Sequence, residues 1–166
     1  MKLQTILVPL DGSPLAETAL QRGTELAAES GGRLVLLRAV EASPMLGTDR
    51  VEAEVKLVRE AEEYLTAAAG RATALGARNV STSVWYGSAP WAIAEAARVQ
   101  HADMIVMSSH GRSGLGRLII GSVAETVLRS TATPILLLRD ARAPLQPKPA
   151  ELAAPKPAPA AKEAVR

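Results

Sequence analysis

Residues 102–139 read ADMIVMSSHGRSGLGRLIIGSVAETVLRSTATPILLLR, and they decide the fold that the whole chain predicts. The stretch begins with a short apolar run at 104–107 and continues with a loop of small and polar residues at 108–117. A helical pattern follows Gly121, and a second apolar run, Ile135–Leu138, ends the stretch. This order predicts a strand, a glycine-rich loop, a helix and a second strand.

The composition of this loop favours the binding of an anion. The loop follows a buried strand and so emerges at the carboxyl edge of a sheet, and its glycines let the backbone approach a ligand closely. Ser122 stands where the next helix begins, so we expect its hydroxyl to cap the helix and the first free N–H groups to bind a phosphate. The small or polar residues concerned are Ser109, Gly111, Arg112, Ser113, Gly114, Gly116 and Gly121.

Length and composition limit the classes of protein that the chain can represent. Its 166 residues favour one domain with a core of its own. The chain has no cysteine, which excludes disulfides and thiolate metal sites. Its first residues turn polar too early for a secretory signal, and no apolar run approaches the ~20 residues of a membrane-spanning helix. We therefore expect a cytoplasmic protein.

The character of the sequence changes after Asp140. Residues 142–166 hold six of the 11 prolines, interleaved with alanine and lysine, together with the excess of basic over acidic residues. We expect a folded domain over residues 1–141 and an extended tail over 142–166. For this tail the composition favours a solvated extension without function over a partner-binding segment. Because the domain is nearly neutral and aromatic residues make up 2% of the chain, we set aside nucleic-acid binding.

The first part of the chain predicts two strands with a helix between them. Residues 2–10 form a strand that Pro9 ends, because proline cannot donate a hydrogen bond to a neighbouring strand. A turn follows, and Ser13 is the expected cap of a helix that a pair of glycines ends. The second strand is predicted at Arg33–Val40, with an apolar centre typical of a parallel strand that is covered on both sides.

The middle of the chain predicts two helices around a strand. A long helix is expected at residues 50–75, with Gly76 as its C-terminal cap. Asn79–Tyr86 alternates apolar and polar residues and predicts a strand, and a helix follows from Ser88 to about Gln100. One face of the long helix is expected to carry Val51, Val55, Val58, Leu65 and Ala69, with charged residues elsewhere.

Five strands with four helices between them predict an α/β fold of the order β-α-β-α-β-α-β-α-β. Such alternation gives a five-stranded parallel sheet that is doubly wound, with helices on both faces, as in flavodoxin-like and Rossmann-like open sandwiches. Ligands bind these sheets at the carboxyl ends of strands near the topological switch point. The candidate crevice therefore lies among residues 9–11, 39–40 and 108–114.

Four segments carry a joined pattern: Pro-Leu-Asp-Gly-Ser at 9–13, Ser-His-Gly-Arg-Ser-Gly at 109–114, Gly-Ser-Val-Ala-Glu at 121–125 and Thr-Pro-Ile-Leu-Leu-Leu at 133–138. With them, residues 2–139 resemble the universal stress protein family. The ATP-binding motif of that family is a glycine, two residues, a glycine, nine residues, and a glycine before a hydroxyl residue. Gly111, Gly121 and Ser122 match this motif, whereas Ser108 replaces its first glycine.

The resemblance implies a homodimeric stress-response regulator or sensor that binds ATP, with Mg²⁺ as a further candidate ligand and slow or no hydrolysis. Asp11 would lie near the ribose or adenine, and Pro9 and Ala39 would line the adenine pocket. The dimer would pair through the edge strand Ile135–Leu138, since an exposed apolar edge tends to find a partner. The phosphates would be held by Ser108, Gly111, Arg112, Ser113, Gly114, Ser122 and Val123. The full set of candidate binding residues is Pro9, Leu10, Asp11, Ala39, Val40, Met107, Ser108, Ser109, His110, Gly111, Arg112, Ser113, Gly114, Gly121, Ser122, Val123 and Ala124.

Two other functions stay open. Because Ser108 departs from the motif, the chain could be an interaction protein of the same fold that binds no nucleotide and acts through its dimer surface or tail. A small hydrolase would use Ser109 or Ser113 as nucleophile with His110 as base. The serine spacing does not match a nucleophile elbow, so a surface or loop-bracing role is favoured for His110, and a surface position for His101.

Two further phosphate motifs are absent from the loop. A Walker A motif needs a lysine there, and a dinucleotide fingerprint needs a glycine where Ile119 stands. Trp85, Tyr86 and Trp91 lie close together in sequence around a turn. This grouping favours core packing over stacking on adenine.

Overall fold

The computed structural model describes residues 3–41, 49–109 and 120–139. In these residues five strands alternate with four helices, as predicted. Most of the glycine-rich loop and the whole tail lie outside the described residues, so the predictions for them stay predictions. The elements are β1 Thr5–Pro9, α1 Pro14–Ser30, β2 Arg33–Val40, α2 Asp49–Ala74, β3 Asn79–Tyr86, α3 Ala89–Val99, β4 Met104–Ser108, α4 Ser122–Ser130 and β5 Ile135–Leu138.

The five strands form one parallel sheet in the order β3-β2-β1-β4-β5. At its centre, Leu7 of β1 lies opposite Val35 of β2 on one side and Ile105 of β4 on the other. The chain moves outward from β1 through β2 to β3 and then crosses to β4 on the opposite side of β1. This is the strand order of Rossmann-type sheets, and it places the topological switch point between β1 and β4.

Helices cover both faces of the sheet. Side chains alternate along a strand, so Ile6 and Val8 face α1 and α2, whereas Leu7 faces α3 and α4. All three side chains are fully buried, as expected for a parallel strand that is covered on both sides. The predicted doubly wound α/β fold is therefore confirmed.

The first helix begins and ends where the sequence predicts. The Ala16 N–H donates a hydrogen bond to Ser13 Oγ at 3.1 Å, which caps the first turn. Gly31 follows the last turn with a φ of +68°, a left-handed conformation that glycine adopts at little cost. Because α1 starts directly after β1, the turn between them lies at the carboxyl edge of the sheet.

The first strand begins at Thr5, later than the predicted start at residue 2. The N–H groups of Gln4 and Thr5 donate to Oδ2 of Asp103, at 2.7 and 2.8 Å. These hydrogen bonds, from Thr5 and from Gln4, lower the pKa of the Asp103 carboxyl. The Asp103 side chain, just before β4, therefore accepts hydrogen bonds from the backbone N–H groups at the start of β1.

Two of the five residues that the sequence places on one face of α2, Val51 and Val55, lie outside the core. Val51 and Val55 are 63% and 53% exposed, whereas positions from Ala61 onwards, including Leu65, enter the core. A helix of 26 residues is about 39 Å long, and the eight residues of neighbouring β3 span about 26 Å. The helix is therefore longer than the sheet that it covers. Among the described residues, no helix is both long and apolar enough to cross a membrane.

Candidate functional site

A cavity of about 450 Å³ lies at the carboxyl edge of the sheet, beside the switch point. The ends of β1, β2 and β4 and the first turns of α3 and α4 line it. Its size falls within the range of about 300–1,000 Å³ that is usual for small-molecule sites. The predicted crevice and the observed cavity therefore occupy the same edge of the fold.

One wall of the cavity is apolar. Leu37 and Met107 belong to the core cluster under α3 and α4, and Ala39 has the same orientation along β2 as Leu37. Ile93 and Ala89 complete this wall from α3. The sequence had indicated Ala39 and Met107 but not Leu37, Ala89 or Ile93, because only the paired sheet brings the start of α3 to this edge.

The start of α4 forms another part of the lining. The Gly121 N–H donates to the Ser109 carbonyl at 2.7 Å, and the first bond within the helix runs from the Glu125 N–H to the Gly121 carbonyl at 2.9 Å. The N–H groups of Ser122, Val123 and Ala124 precede that bond, and no described residue accepts from them. All three residues line the cavity, so this wall offers backbone donors to a ligand.

The predicted capping role of Ser122 is wrong. Gly121 occupies the N-cap position with φ −56° and ψ 148°, and no side-chain hydrogen bond caps α4. Ser122 is the first helical residue, so its hydroxyl stands one position too late to bond the amides of the first turn. The absence of a cap leaves those amides available to a ligand.

The turn after β1 also lines the cavity. Pro9, Leu10 and Asp11 line it. Asp11 Oδ1 accepts a hydrogen bond from the Ser13 N–H at 2.9 Å, and Gly12 has a φ of +83°. Asp11 therefore acts as a turn residue while it also lies in the cavity wall.

The end of β2 brings a positive and a negative side chain to the cavity, Arg38 and Glu41. The Arg38 guanidinium lies over the Tyr64 ring, with its carbon 4.7 Å from the ring centroid. Neither residue was a candidate from the sequence. The predicted site residue Val40 does not line the cavity: it is 7% exposed, and its carbonyl accepts from the Gly87 N–H at 3.0 Å.

Polar contacts between α1 and α2 hold the Tyr64 ring in place. The Tyr64 hydroxyl donates to Glu17 Oε1 at 2.6 Å, and Arg71 Nη2 donates to both carboxylate oxygens of Glu17 at 3.1 and 2.9 Å. Burial, and then the hydrogen bond to Glu17, raise the pKa of the Tyr64 hydroxyl. The Tyr64 ring on which Arg38 stacks is therefore held by a hydrogen bond at its hydroxyl group.

The aromatic residues of β3 and α3 lie outside the cavity lining. Trp85 packs at the edge of the core, and its ring meets that of Trp91 edge to face with centroids 5.9 Å apart. Trp91 and Tyr86 are 54% and 52% exposed, so the prediction of core packing is wrong for these two. The geometry gives no support to stacking of any of the three on a ligand in this cavity.

The remaining candidates divide between the cavity wall and the part of the chain that is not described. Ser108 and Ser109 line the cavity, and Ser109 is 5% exposed. His110, Gly111, Arg112, Ser113 and Gly114 lie outside the described residues, as does the geometry that a hydrolase would need. Within the described ranges, no three His, Asp or Glu side chains gather as a metal site would require.

Comparison with known proteins connects this architecture to a family. A family model described as the universal stress protein family matches residues 2–139. A universal stress protein of Methanocaldococcus jannaschii is 30% identical over 139 residues, which cover 81% of this chain and 81% of that protein. A solved structure of a universal stress family protein from Burkholderia pseudomallei is 30% identical, with a TM-score of 0.68 over 82% of this chain and 96% of that one. A solved universal stress protein in complex with cAMP is 27% identical, with a TM-score of 0.67 over 83% of this chain and 98% of that one.

Proposed function

The chain belongs to the universal stress protein family, and we propose that it binds an adenine nucleotide in the cavity at the β1–β4 switch point. The observation that carries this proposal is the combination, in one cavity, of an apolar wall with a helix start whose amides have no acceptor among the described residues. The structural relative whose complex with cAMP is known supports an adenine nucleotide as the class of ligand.

The apolar wall is the expected site of the base. A purine ring packs against apolar side chains, and the half-buried Ala39 and Ala89 offer these between β2 and α3, next to the buried Leu37 and Ile93. Ala39 has a small side chain, which leaves room for the ring beside the sheet. We expect the adenine to lie against this wall.

The start of α4 is the expected site of the phosphates. Three backbone N–H groups and the positive end of the helix dipole suit negatively charged oxygen atoms. Ser108 and Ser109, at the end of β4, also line the cavity. The side chain of Ser108, in place of a glycine, is small enough for this arrangement.

ATP is the nucleotide that the motif in residues 108–122 favours, with Mg²⁺ as a companion ion. Magnesium commonly keeps several waters and binds through substrate phosphates and one or two carboxylates rather than through a protein cage. The lack of a three-ligand group among the described residues is compatible with that mode. We infer a regulator or sensor rather than a fast ATPase, because the described part of the site offers no His, and its two acids, Asp11 and Glu41, are not held against the α4 wall by any hydrogen bond.

Two measurements on the purified full chain test nucleotide binding. Denatured protein should release an adenine nucleotide, identified by chromatography and mass, or added ATP, AMP or cAMP should raise the melting temperature. If no nucleotide is released and none of the three raises the melting temperature, the proposal is wrong. That outcome would favour the alternative of an interaction protein without a nucleotide.

A matched pair of variants tests the phosphate wall. Gly121→Asp and Gly121→Asn both place a capping oxygen at the N-cap of α4, where the φ of −56° accepts any residue. Each should change the stability of the free protein by only a few tenths of a kcal/mol. Only the aspartate adds a negative charge, so it should reduce the ligand-induced rise in melting temperature far more than the asparagine does. If both variants keep the full ligand response of the wild-type protein, the phosphates lie elsewhere.

A second variant tests the base wall. Ala39→Phe fills the space beside Leu37 and Ile93 and should abolish the rise in melting temperature on addition of AMP. Ala74→Phe, at the exposed C-terminal end of α2, is the control and should leave that rise unchanged. Retention of AMP binding by the Ala39 variant would contradict the position assigned to adenine.

We further propose that the protein is a homodimer paired through β5, the edge strand Ile135–Leu138. The carbonyls of Pro134 and Leu138 accept from β4, so by alternation the amide of Leu137 points away from the sheet. Leu137→Pro removes that outward donor without removing a bond to β4, and it should shift the protein to a monomer in light scattering. A dimer of unchanged stability in this variant would exclude pairing through β5.

A further inference from the structure

The arginine in the cavity wall is the charged group that the proposed function does not use. Its guanidinium lies over Tyr64, and Nη1 lies 3.3 Å from the position that a Cβ would take on Gly12. Arg38 therefore lies beside the turn after β1, at Gly12. Within the part of the chain that the structure describes, no carboxylate pairs with Arg38 and no acceptor bonds it.

Stacking on an aromatic ring leaves the donors of a guanidinium free. The group carries five N–H donors in a planar fork that matches the oxygens of a phosphate, and it has no acceptor. The Glu17 carboxylate, which could have neutralised it, is occupied by Tyr64 and Arg71 instead. Arg38 is thus held in one place at the cavity, with its charge not paired to any described residue.

The two faces of the sheet separate Arg38 from the wall assigned to the base and the 5′-phosphate. Leu37 and Ala39 point towards α3 and α4, whereas Arg38, between them, points towards α1 and α2. Because β1 lies between β2 and β4 in the sheet, a nucleotide with its base at the α3 wall and its 5′-phosphate at α4 would place its ribose near the end of β1. Asp11 and Arg38 line the cavity at that end, so we expect them to lie nearest to the ribose hydroxyls.

From this placement we propose that Arg38 determines specificity by selecting adenosine nucleotides that carry a second phosphate, on the 2′ or 3′ oxygen of the ribose. This proposal rests on the proposed function and specifies which adenine nucleotides the cavity would bind. In dinucleotide-binding α/β proteins an acidic residue binds the free ribose hydroxyl, whereas an arginine accommodates a 2′-phosphate. A guanidinium gains most from a phosphate, through paired charge-assisted hydrogen bonds.

Glu41 would favour a nucleotide with free ribose hydroxyls over one with a second phosphate. It lines the same cavity, and a carboxylate accepts hydrogen bonds from ribose hydroxyls and repels a phosphate. Arg38 is fixed by the Tyr64 ring, whereas Glu41 is exposed at the end of β2, where solvent screens its charge. We therefore expect the arginine to govern the choice.

The test compares three ligands on the full chain by calorimetry at one salt concentration: adenosine 5′-monophosphate, adenosine 3′,5′-bisphosphate and adenosine 2′,5′-bisphosphate. At least one bisphosphate should bind about tenfold tighter than the monophosphate, the effect of one charge-assisted contact. In Arg38→Gln the ratio of the bisphosphate affinity to the monophosphate affinity should fall to near one. Arg38→Lys should keep part of this ratio. The control Arg129→Gln loses the same charge from the last turn of α4, where Arg129 pairs with Glu125, and should keep the full ratio.

Each outcome decides the question. If the monophosphate binds the wild-type protein as tightly as both bisphosphates, Arg38 does not select a second phosphate, and the proposed nucleotide site still stands. If a bisphosphate is preferred but Arg38→Gln keeps the preference, another group is responsible and the inference is wrong. If none of the three ligands binds the wild-type protein, the proposed function itself fails. The wild-type comparison needs no variant, so it can overturn the inference even if Arg38→Gln does not fold, and Arg38→Lys then tests whether Arg38 is responsible.

Discussion

Two glycines inside helices should respond in opposite ways to the same substitution. Gly23 lies in α1 against β1, where an added Cβ would stand 2.5 Å from Val8 Cγ2 and 3.5 Å from Leu34 Cδ1. Gly70 lies in α2 and has nothing within 4 Å of that position. We predict that Gly23→Ala destabilises the protein and that Gly70→Ala stabilises it.

The magnitude follows from two opposing effects. Alanine is favoured over glycine inside a helix by about 0.8–1 kcal/mol, and this gain applies at both positions. At Gly23 the new methyl group must push Val8 or the helix aside, and overpacking of a core costs about 1–3 kcal/mol. The propensity gain cancels in the comparison, so the free energies of unfolding of the two variants should differ by about 1–3 kcal/mol.

Urea denaturation measures this difference, and a double-mutant cycle identifies its cause. Val8→Ala removes the methyl group that a side chain added at position 23 would meet, so Gly23→Ala should be neutral or stabilising in that background. If Gly23→Ala stabilises the wild-type protein as much as Gly70→Ala does, the close contact between α1 and β1 is not as described. If the two substitutions at positions 8 and 23 are additive, the contact with Val8 is not the cause.

Three further predictions concern the elements around the cavity. Ser13→Ala removes the acceptor of the Ala16 N–H and should lower the free energy of unfolding by about 1 kcal/mol in urea denaturation. Tyr64→Phe removes the hydrogen bond to Glu17 and should cost about 1 kcal/mol in the same measurement. The pKa of Asp103 is lowered in the folded state, so its contribution is present above the unfolded pKa of about 3.9 and is lost as the pH falls through the lower folded value. Asp103→Asn should therefore flatten the loss of stability in acid, measured as the urea midpoint over a series of pH values.

Much of the fold follows from local signals in the sequence. Pro9 ends its strand, Ser13 caps the next helix and Gly31 ends it, because each depends on its own backbone and nearest neighbours. The fully apolar centres of β1 and β2 predict strands that are covered on both faces, and the alternation with helices then leaves few topologies. The position of the cavity follows from the topology rather than from any one residue.

Features that depend on the relative size of distant elements could not be predicted in this way. Val51 and Val55 share the apolar face of α2 with Leu65, and periodicity identifies that face but not where the sheet beneath it ends. In the sequence, Arg38 is a charged residue within an otherwise apolar run, and this pattern alone does not indicate a binding role. It becomes part of the site because the turn at Gly12 and the ring of Tyr64 enclose it, and no local pattern relates these three positions.

The starts of α1 and α4 show why a serine at a helix start is an ambiguous signal. At α1, Pro14 occupies the first helical position and fixes the start there, so Ser13 becomes the N-cap and its hydroxyl bonds an amide of the first turn. At α4 no proline fixes the start, and Gly121 takes the N-cap position one residue earlier, so Ser122 enters the helix. The free protein lacks the stabilisation of a side-chain capping bond at α4. The packing of Ala124 and Val127 against the sheet stabilises this helix instead. The amides left without that bond are the ones to which we assign the phosphates of the proposed nucleotide.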